Sequence, residues 1–303
     1  MIFRNNNKIA NIYRGTLKIS NVYRGGILVY TGEQPITYDG LTFEALEPST
    51  IKYTPSTVST AQYSYDAVNW ETADNVTLNL NKGNKVFFKG TITGNQSYSD
   101  HSQFTMTGKV AASGSIMSLQ SGNPEDKSLK YYYGFSSMFK GCTSLVTSPE
   151  LPATTLSIYC YASMFYGCKS ITTAPVLPAT ELVNYCYQYM FDGCTSLVNV
   201  PELPATKLAF RCYMYMFRSC TSLITAPSLP ATELDSYCYD SMFVNCSKLN
   251  YIKAMFTTTP GSTYTSNWVS GVASTGTFVK NKDATWDVTG NNGIPEGWTV
   301  ETA

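Results

Sequence analysis

The sequence predicts a mainly β fold with short helices, and three features of the chain lead to this prediction. A unit of 26 residues recurs from about Leu129 to Phe256, and a unit of ten residues recurs near the N-terminus. The chain between these repeats is rich in Thr, Ser, Tyr and Val, with Gly and Pro at turns. A fixed period indicates supersecondary units that stack, and Thr, Tyr and Val favour strands.

The 26-residue period is invariant at the cysteines, which form two series. The series are Cys142, Cys168, Cys194, Cys220 and Cys246, and Cys160, Cys186, Cys212 and Cys238. Met-Phe recurs at the same step from Met138, and Leu-Pro-Ala-Thr recurs from Leu151. Leucine-rich repeats have periods of roughly 20–29 residues, each with one strand and a helical return. We therefore predict a leucine-rich-repeat solenoid over residues 129–256.

A short helix is predicted within each unit. Leu234, Cys238 and Met242 stand at i, i+4 and i+8, which is the spacing of one apolar helical stripe. Thr232 precedes them at the position where an N-cap is expected. A left-handed C-terminal cap is expected one residue before each cysteine of the first series. That position is held by Gly141, Gly167, Gly193, Ser219 and Asn245.

The N-terminal tandem predicts a β anchor segment over residues 1–32. Lys8-Ile-Ala-Asn-Ile-Tyr-Arg-Gly15 recurs as Lys18-Ile-Ser-Asn-Val-Tyr-Arg-Gly25, so two short β-forming runs each end at Arg-Gly. The segment carries five basic side chains and no acidic one, which suits an acidic partner surface. A small β meander with its basic side in solvent explains the same pattern. The candidate anchor residues are Tyr13, Arg14, Tyr23 and Arg24.

Two further segments are predicted to be β. Residues 33–128 contain short β-forming runs separated by turns, which favours an immunoglobulin-like β-sandwich. Residues 257–303 contain glycine-rich turns with Trp268, Trp286 and Trp298, which favours a small β cap at the end of the repeats.

Composition excludes some classes of function. The formal net charge is zero, from 21 basic and 21 acidic residues, whereas a nucleic-acid-binding protein carries a clustered basic excess. No run of about 18 apolar residues is present, so no membrane span is expected. Polar residues interrupt the first eleven positions after two apolar ones, so a secretory signal is not expected there.

No motif indicates an enzyme, a cofactor or a metal. The chain has no phosphate-binding glycine loop, nucleophile elbow or metalloprotease helix, although paired carboxylates of a glycosidase leave no motif. Seven or seventeen residues separate consecutive cysteines, which is not a zinc pattern. Stacked repeats would bring equivalent cysteines of adjacent units within disulfide range, but we expect buried free thiols.

Two positions of the repeat vary enough to form a recognition face. The residue before the second-series cysteine is Tyr159, Tyr185, Arg211 or Tyr237, and the residue after Met-Phe is Lys140, Tyr166, Asp192, Arg218 or Val244. Only an exposed site is expected to tolerate the second variation. Tyrosine and arginine rows stack on sugar rings or anchor a protein partner. Stacking of tyrosines between repeats, which merely stiffens the array, fits the same spacing. The candidate recognition residues are Tyr159, Tyr185, Arg211, Tyr237, Tyr166, Asp192 and Arg218.

The repeat Met-Phe-x-Gly-Cys-Thr-Ser-Leu, followed by Leu-Pro-Ala-Thr, resembles the BspA-like leucine-rich repeats of Bacteroidetes surface proteins. Residues 165–171 and 191–197 carry its Phe-x-x-Cys-x-x-Leu core, with Ile171 in place of the last leucine in the first case. The resemblance implies a non-enzymatic adhesin or binding protein. The N-terminal tandem is similar to segments that begin virion proteins of phages infecting these bacteria.

These resemblances together imply a phage virion surface protein, such as a fibre or decoration protein, assembled in the bacterial cytoplasm. Its N-terminus would bind a capsid or tail protein, and its solenoid would bind a host glycan or a protein. No nucleic acid or cofactor is expected as a partner, and the exposed tyrosines together with the anchor motif are consistent with a homo-oligomer. The alternative is a bacterial cell-surface adhesin.

Overall fold

The structure is a computed structural model that describes residues 37–303 and, before them, the backbone of six short strands between residues 3 and 31. The chain divides into two compact units, Met1–Tyr38 and Asp39–Ala303. The predicted mainly β character is confirmed: the described residues contain many strands and one four-residue helix, α1 (Ser118–Ser121).

The described backbone of the first unit forms three antiparallel strand pairs, β1–β2, β3–β4 and β5–β6. The strands are β1 (Phe3–Arg4), β2 (Asn7–Lys8), β3 (Ile12–Arg14), β4 (Leu17–Ile19), β5 (Asn21–Arg24) and β6 (Ile27–Thr31). Strands β3 and β5 end at the arginines that precede the predicted turns. The side chains of the predicted anchor, Tyr13, Arg14, Tyr23 and Arg24, lie outside the described residues, so the anchor stays a prediction.

The second unit begins with two sheets. Its first strands are β7 (Thr42–Ala45), β8 (Ser49–Thr54), β9 (Ser59–Ser64), β10 (Glu71–Thr72), β11 (Thr77–Leu80), β12 (Lys85–Ile92), β13 (Gln103–Thr107) and β14 (Val110–Ser113). One sheet has the order β11-β8-β13. The other has the order β10-β9-β12-β7-β14-β15, where β15 (Leu145–Thr147) belongs to the first 26-residue unit and pairs in parallel with β14.

The core continues from these sheets into the repeats. The rings of Phe43 and Phe104 lie 5.0 Å apart, and Phe104 stacks on Phe139 of the first repeat at 5.5 Å. Strand β13 also continues the hydrogen bonding of the repeats, because the Phe104 amide donates to the carbonyl of Met138. The β sheets therefore cover the first repeat and shield its backbone groups.

The 26-residue units stack through a regular backbone ladder, and residues 129–280 are called the repeat stack below. Alternate amides donate to the next unit: Tyr161 to the Cys186 carbonyl at 3.1 Å, and Phe165 to the Met190 carbonyl at 2.9 Å. The amides between them close turns within the unit, as when Met164 donates to the Tyr161 carbonyl at 3.2 Å. Every backbone N–H in this ladder is used, which is what a buried backbone requires.

The predicted short helices within the units are wrong, because residues 129–280 contain no helix. Cys238 and Met242 lie in a chain of turns instead, Leu234 precedes these turns, and Thr232 caps no helix. Tyr159 and Ser163 have left-handed φ values of +58° and +56°, which an α-helix excludes for residues with a side chain. The turns bury positions every fourth residue, and this period of four is close to the helical period of 3.6.

The left-handed position before each first-series cysteine was predicted and is present in all five units. Its φ ranges from +59° at Ser219 to +75° at Gly141. It does not cap a helix but joins the chain of turns to the loop that follows.

Aromatic columns and thiols fill the interior of the repeat stack. Phe139, Phe165, Phe191, Phe217 and Phe243 stack in parallel with ring centroids 5.5–5.9 Å apart. All nine cysteines, which lie in the described part of the chain, are free and buried, as expected. The Cys194 thiol donates to the Phe165 carbonyl of the preceding unit at 3.1 Å. Cys168, Cys220 and Cys246 make the same contact, and the Cys142 thiol donates to the Phe104 carbonyl of β13, so each first-series thiol occupies a carbonyl lone pair inside the core.

The register of the repeats continues past residue 256. The Phe243 amide donates to the Trp268 carbonyl, and Asn267 and Gly271 have positive φ values one period after Ser241 and Asn245. Strands β16 (Tyr251–Ala254), β17 (Thr277–Lys280) and β18 (Thr299–Thr302) form a parallel sheet in that order. Buried Trp268 fills the end of the core and donates to the Gly293 carbonyl at 2.8 Å. A sixth unit without cysteines therefore closes the repeat stack.

Candidate recognition surface

The residues before the second-series cysteines form a column on the surface of the turns, called the tyrosine column below. Tyr133 stacks on Tyr159 at 4.4 Å, and Tyr159 stacks on Tyr185 at 4.2 Å, with nearly parallel rings. The Arg211 guanidinium continues the column, 5.8 Å from the Tyr185 ring centroid and 5.0 Å from that of Tyr237. The repeat spacing predicted that Tyr159, Tyr185, Arg211 and Tyr237 form one row, and these four side chains are adjacent in the structure. Sequence reasoning missed Tyr133, although Tyr133 lies one period before Tyr159.

This stacking decides which atoms of the tyrosine column are available to a ligand. The faces of Tyr159 are covered by Tyr133 and Tyr185, so this ring offers its edge and its hydroxyl rather than a flat platform. Stacking between repeats was one of the two readings left open by the sequence, and it is present. Burial, followed by hydrogen bonding to Tyr185, raises the pKa of the Tyr159 phenol above its ordinary value of 10.0.

Arg211 is held in the column by rings rather than by a carboxylate. Its Nε is buried and has no hydrogen-bond partner among the described residues. Its guanidinium lies 4.9 Å from the centroid of the Phe210 ring, which is cation–π distance. Arg211 is therefore a packed member of the column.

The row after Met-Phe contains an ion pair whose carboxylate is buried and whose guanidinium is partly exposed. Nη2 of Arg218 lies 2.5 Å from Oδ2 of Asp192. The expectation that this position is exposed is wrong for Asp192, which is 3% exposed because Arg218 from the next unit covers it. The guanidinium also lies over Tyr215 at 4.8 Å and Tyr189 at 5.5 Å. This carboxylate therefore fixes the place of Arg218 on the surface.

A trough of about 500 Å³ opens beside the tyrosine column, within the range of roughly 300–1,000 Å³ typical of ligand sites. Its floor contains Ser137 and Ser163, which occupy the same repeat position as Tyr189 and Tyr215 in the next two units. Small side chains at this position in two units leave space that tyrosine fills in the following two. The full lining is Tyr98, Tyr133, Ser136, Ser137, Lys140, Tyr159, Ala162, Ser163, Tyr166, Gln188, Tyr189 and Arg218.

The lining is polar, aromatic and cationic. Eight of its twelve residues carry a hydroxyl group, and none carries a carboxylate. Lys140 Nζ lies 5.4 Å from the Tyr166 ring centroid and 5.9 Å from that of Tyr98, which is 75% exposed. Lys140 forms no ion pair with any residue between 37 and 303. Its charge is thus available to a ligand in the trough.

The structure brings three of the seven predicted recognition residues to this trough, and they are Tyr159, Tyr166 and Arg218. Asp192 acts beneath it through Arg218, whereas Tyr185, Arg211 and Tyr237 lie further along the tyrosine column. Sequence reasoning missed Ser163 and Tyr189. These two residues hold the same position in successive repeats, so a comparison of the repeats reveals the change from Ser to Tyr. The sequence had no signal for Tyr98, which reaches the trough from a loop before β13.

Within the described residues, no helix is long and apolar enough to cross a membrane, and no group of three His, Cys, Asp or Glu side chains is placed to hold a metal ion. Comparison of the chain with protein-family models, with curated proteins and with solved structures gives no match.

Proposed function

We propose that this chain is a non-enzymatic recognition protein of a phage virion surface, a fibre or decoration protein. In this proposal the 26-residue units form a leucine-rich-repeat solenoid that contacts the host surface or a protein. An immunoglobulin-like β-sandwich over residues 33–128 acts as a spacer, and residues 1–32 attach the protein to a capsid or tail protein. The alternative is a bacterial cell-surface adhesin, which the repeat resemblance by itself implies and which would use the same trough.

The observation that carries the recognition role is the trough beside the tyrosine column. Repeat proteins keep inward positions constant for stacking and vary outward ones for binding. Here the variation from Ser163 to Tyr189 creates a concave site rather than a flat surface. Concave sites with a few converging polar groups are where ligands bind most often.

The recognition role is tested by filling the trough with a side chain that the fold already accepts at the next unit. Ser163→Tyr places a tyrosine on the floor, and Val198→Tyr places one at a position of the repeat stack that is 47% exposed and outside the trough. Adsorption of particles, or of cells for the adhesin, is measured with each variant. We expect Ser163→Tyr to reduce adsorption at least tenfold and Val198→Tyr to leave it unchanged. Equal adsorption of the two variants would remove the role of the trough.

Virion attachment needs a separate test. Particles are assembled with the full chain or with a chain that lacks residues 1–32, and the protein is detected on purified particles by immunoblot and by electron microscopy. We expect the shortened chain to be absent from particles and still folded in solution. Particles that carry the shortened chain at the normal level would contradict the anchor, and failure of the full chain to appear on particles would favour the adhesin.

A further inference from the structure

We propose that the trough binds an anionic saccharide, whose hydroxyls pair with the tyrosine and serine side chains and whose acidic group pairs with Lys140. This inference rests on the proposed recognition role and names the class of ligand.

The lining matches a ligand rich in hydroxyl groups. Hydroxyls of Tyr133, Tyr159 and Ser163 can both donate and accept hydrogen bonds. The Gln188 amide offers its oxygen as an acceptor, while its Nε2 donates to Sδ of Met214 at 3.4 Å. Ala162 is the one aliphatic residue of the lining, so the trough has no pocket for the apolar side chains that anchor a peptide. The lining therefore favours a sugar over an apolar peptide.

The backbone around the trough is closed to an added peptide strand. The amide of Tyr159 donates to the Asn184 carbonyl at 3.4 Å, and the amide of Ser163 donates to the Gln188 carbonyl at 2.8 Å. A peptide that binds by extending a sheet needs free amides and carbonyls at an edge. Because the ladder between repeats uses these amides, recognition here depends on side chains.

The charge of the trough selects for an anion. Lys140 and Arg218 are its two cations, and the Asp192 carboxylate neutralises Arg218 from beneath. Lys140 remains uncompensated among rings that partly shield it from water. A charge in such a site interacts with an opposite charge more strongly than it would in bulk water. Lys140 therefore favours a saccharide that carries a carboxylate or a sulfate.

The geometry also assigns a place to each part of the ligand. Tyr98 and Lys140 mark the end of the trough near the β sheets, and Tyr189 and Arg218 close the opposite end. The acidic group would lie beside Lys140, and the neutral part of the sugar would lie over Ser137 and Ser163. Tyr98, with most of its surface exposed, is the ring most available to pack on that sugar.

The test uses the full chain and a panel of oligosaccharides that bear uronate, sialate or sulfate groups. Each acidic member is paired with a neutral counterpart, whose carboxylate is reduced to an alcohol or whose sulfate is removed. Affinity is measured by calorimetry in low and high salt, and circular dichroism checks the fold of each variant. We expect at least one acidic member to bind tenfold or more tightly than its neutral counterpart, with affinity falling as salt rises.

Three variants tie that preference to the trough. Lys140→Gln is expected to lower the affinity for the acidic member about tenfold and to leave the neutral counterpart unaffected, whereas Lys140→Arg retains binding. Lys169→Gln, which removes an exposed charge outside the lining, is expected to have no effect. Ser163→Tyr is expected to abolish binding of both members.

The outcomes separate the inference from the proposed function. Equal binding of acidic and neutral members, lost with Ser163→Tyr and unchanged with Lys140→Gln, would overturn the anionic ligand and keep the recognition role. If the chain binds a host-surface protein but no saccharide, and Ser163→Tyr abolishes that binding, the anionic saccharide is likewise overturned and the recognition role is kept. If no member binds and Ser163→Tyr leaves adsorption unchanged, both the inference and the proposed function fail.

Discussion

Ser163 and Tyr189 have the same left-handed backbone conformation, with φ of +56° in both, at the same position of successive repeats. One leaves the floor of the trough open, and the other forms its end wall. The Tyr189 ring also stacks on Tyr215 of the following unit at 4.6 Å. The scaffold therefore accepts a small or a large side chain here, and the choice shapes the surface without changing the fold.

The first prediction concerns the stability of Ser163→Tyr. The new ring is expected to stack on Tyr189 as Tyr189 stacks on Tyr215, so the free energy of unfolding should change by less than about 1 kcal/mol. Urea denaturation measures this difference. A loss above about 3 kcal/mol would contradict the equivalence of the two positions, and Tyr189→Ser provides the reverse change for comparison.

The second prediction concerns the thiol hydrogen bonds. Cys194 and Cys212 are both 0% exposed, but of these two only the Cys194 thiol donates to a backbone carbonyl among the described contacts. Replacing either cysteine by Ala removes the same sulfur, so the cavity costs are similar. Cys194→Ala is therefore expected to cost about 0.5–1.5 kcal/mol more in unfolding free energy than Cys212→Ala. Equal losses in urea denaturation would mean that the thiol contributes only its volume.

The third prediction concerns stability at alkaline pH. Burial raises the pKa of the Cys194 thiol from 9.0 to about 12, and the same cause acts on Cys160 and Cys246. A raised pKa means that the folded chain keeps protons that the unfolded chain loses. The contribution of these thiols to the free energy of unfolding is therefore fully present below pH 9. It falls as pH rises towards 12, by up to about 1.4 kcal/mol per pH unit for each thiol.

Urea denaturation between pH 7 and pH 10.5 measures this loss. Cys194→Ala removes one buried thiol, so the unfolding free energy of this variant should fall less steeply with pH. Thiol titration gives an independent check. We expect no rapidly reacting thiol in the folded protein at pH 8 and all nine after unfolding. A rapidly reacting thiol in the folded protein, or an unfolding free energy that does not change between pH 7 and pH 10.5, would contradict the burial of the cysteines.

The fourth prediction concerns the left-handed position before the first-series cysteines. Ser219 has φ of +59° where the first three units have glycine, so Ser219→Gly should stabilise the protein by about 0.5 kcal/mol. A Cβ added at Gly193 would lie 3.7 Å from the Gly167 Cα, which is ordinary contact, so Gly193→Ala should cost only the backbone strain of about 1 kcal/mol.

Thermal or urea denaturation distinguishes the stabilisation expected for Ser219→Gly from the destabilisation expected for Gly193→Ala. Ser196→Gly is the matched control, because its φ is not positive and the added chain entropy should destabilise it. If Ser219→Gly destabilised the protein as much as Ser196→Gly does, the left-handed strain at this position would be negligible.

The sequence determined the spacing of the units, the burial of the cysteines and the left-handed position at Gly141 and its equivalents. These follow from strict periodicity, because stacked copies of one unit must place identical residues in identical environments. The sequence also indicated the tyrosine column, although it left open whether the rings serve a ligand or one another.

Only the tertiary structure decided the path of the chain within a unit. A burial period of four suits a helix locally, but the carbonyls of the next unit accept every second amide and impose turns instead. The same long-range order buries Asp192 beneath Arg218 and brings Tyr98 to the trough beside Ser163. Local preference cannot reveal such contacts, because their partners are distant in sequence and meet only when the units stack.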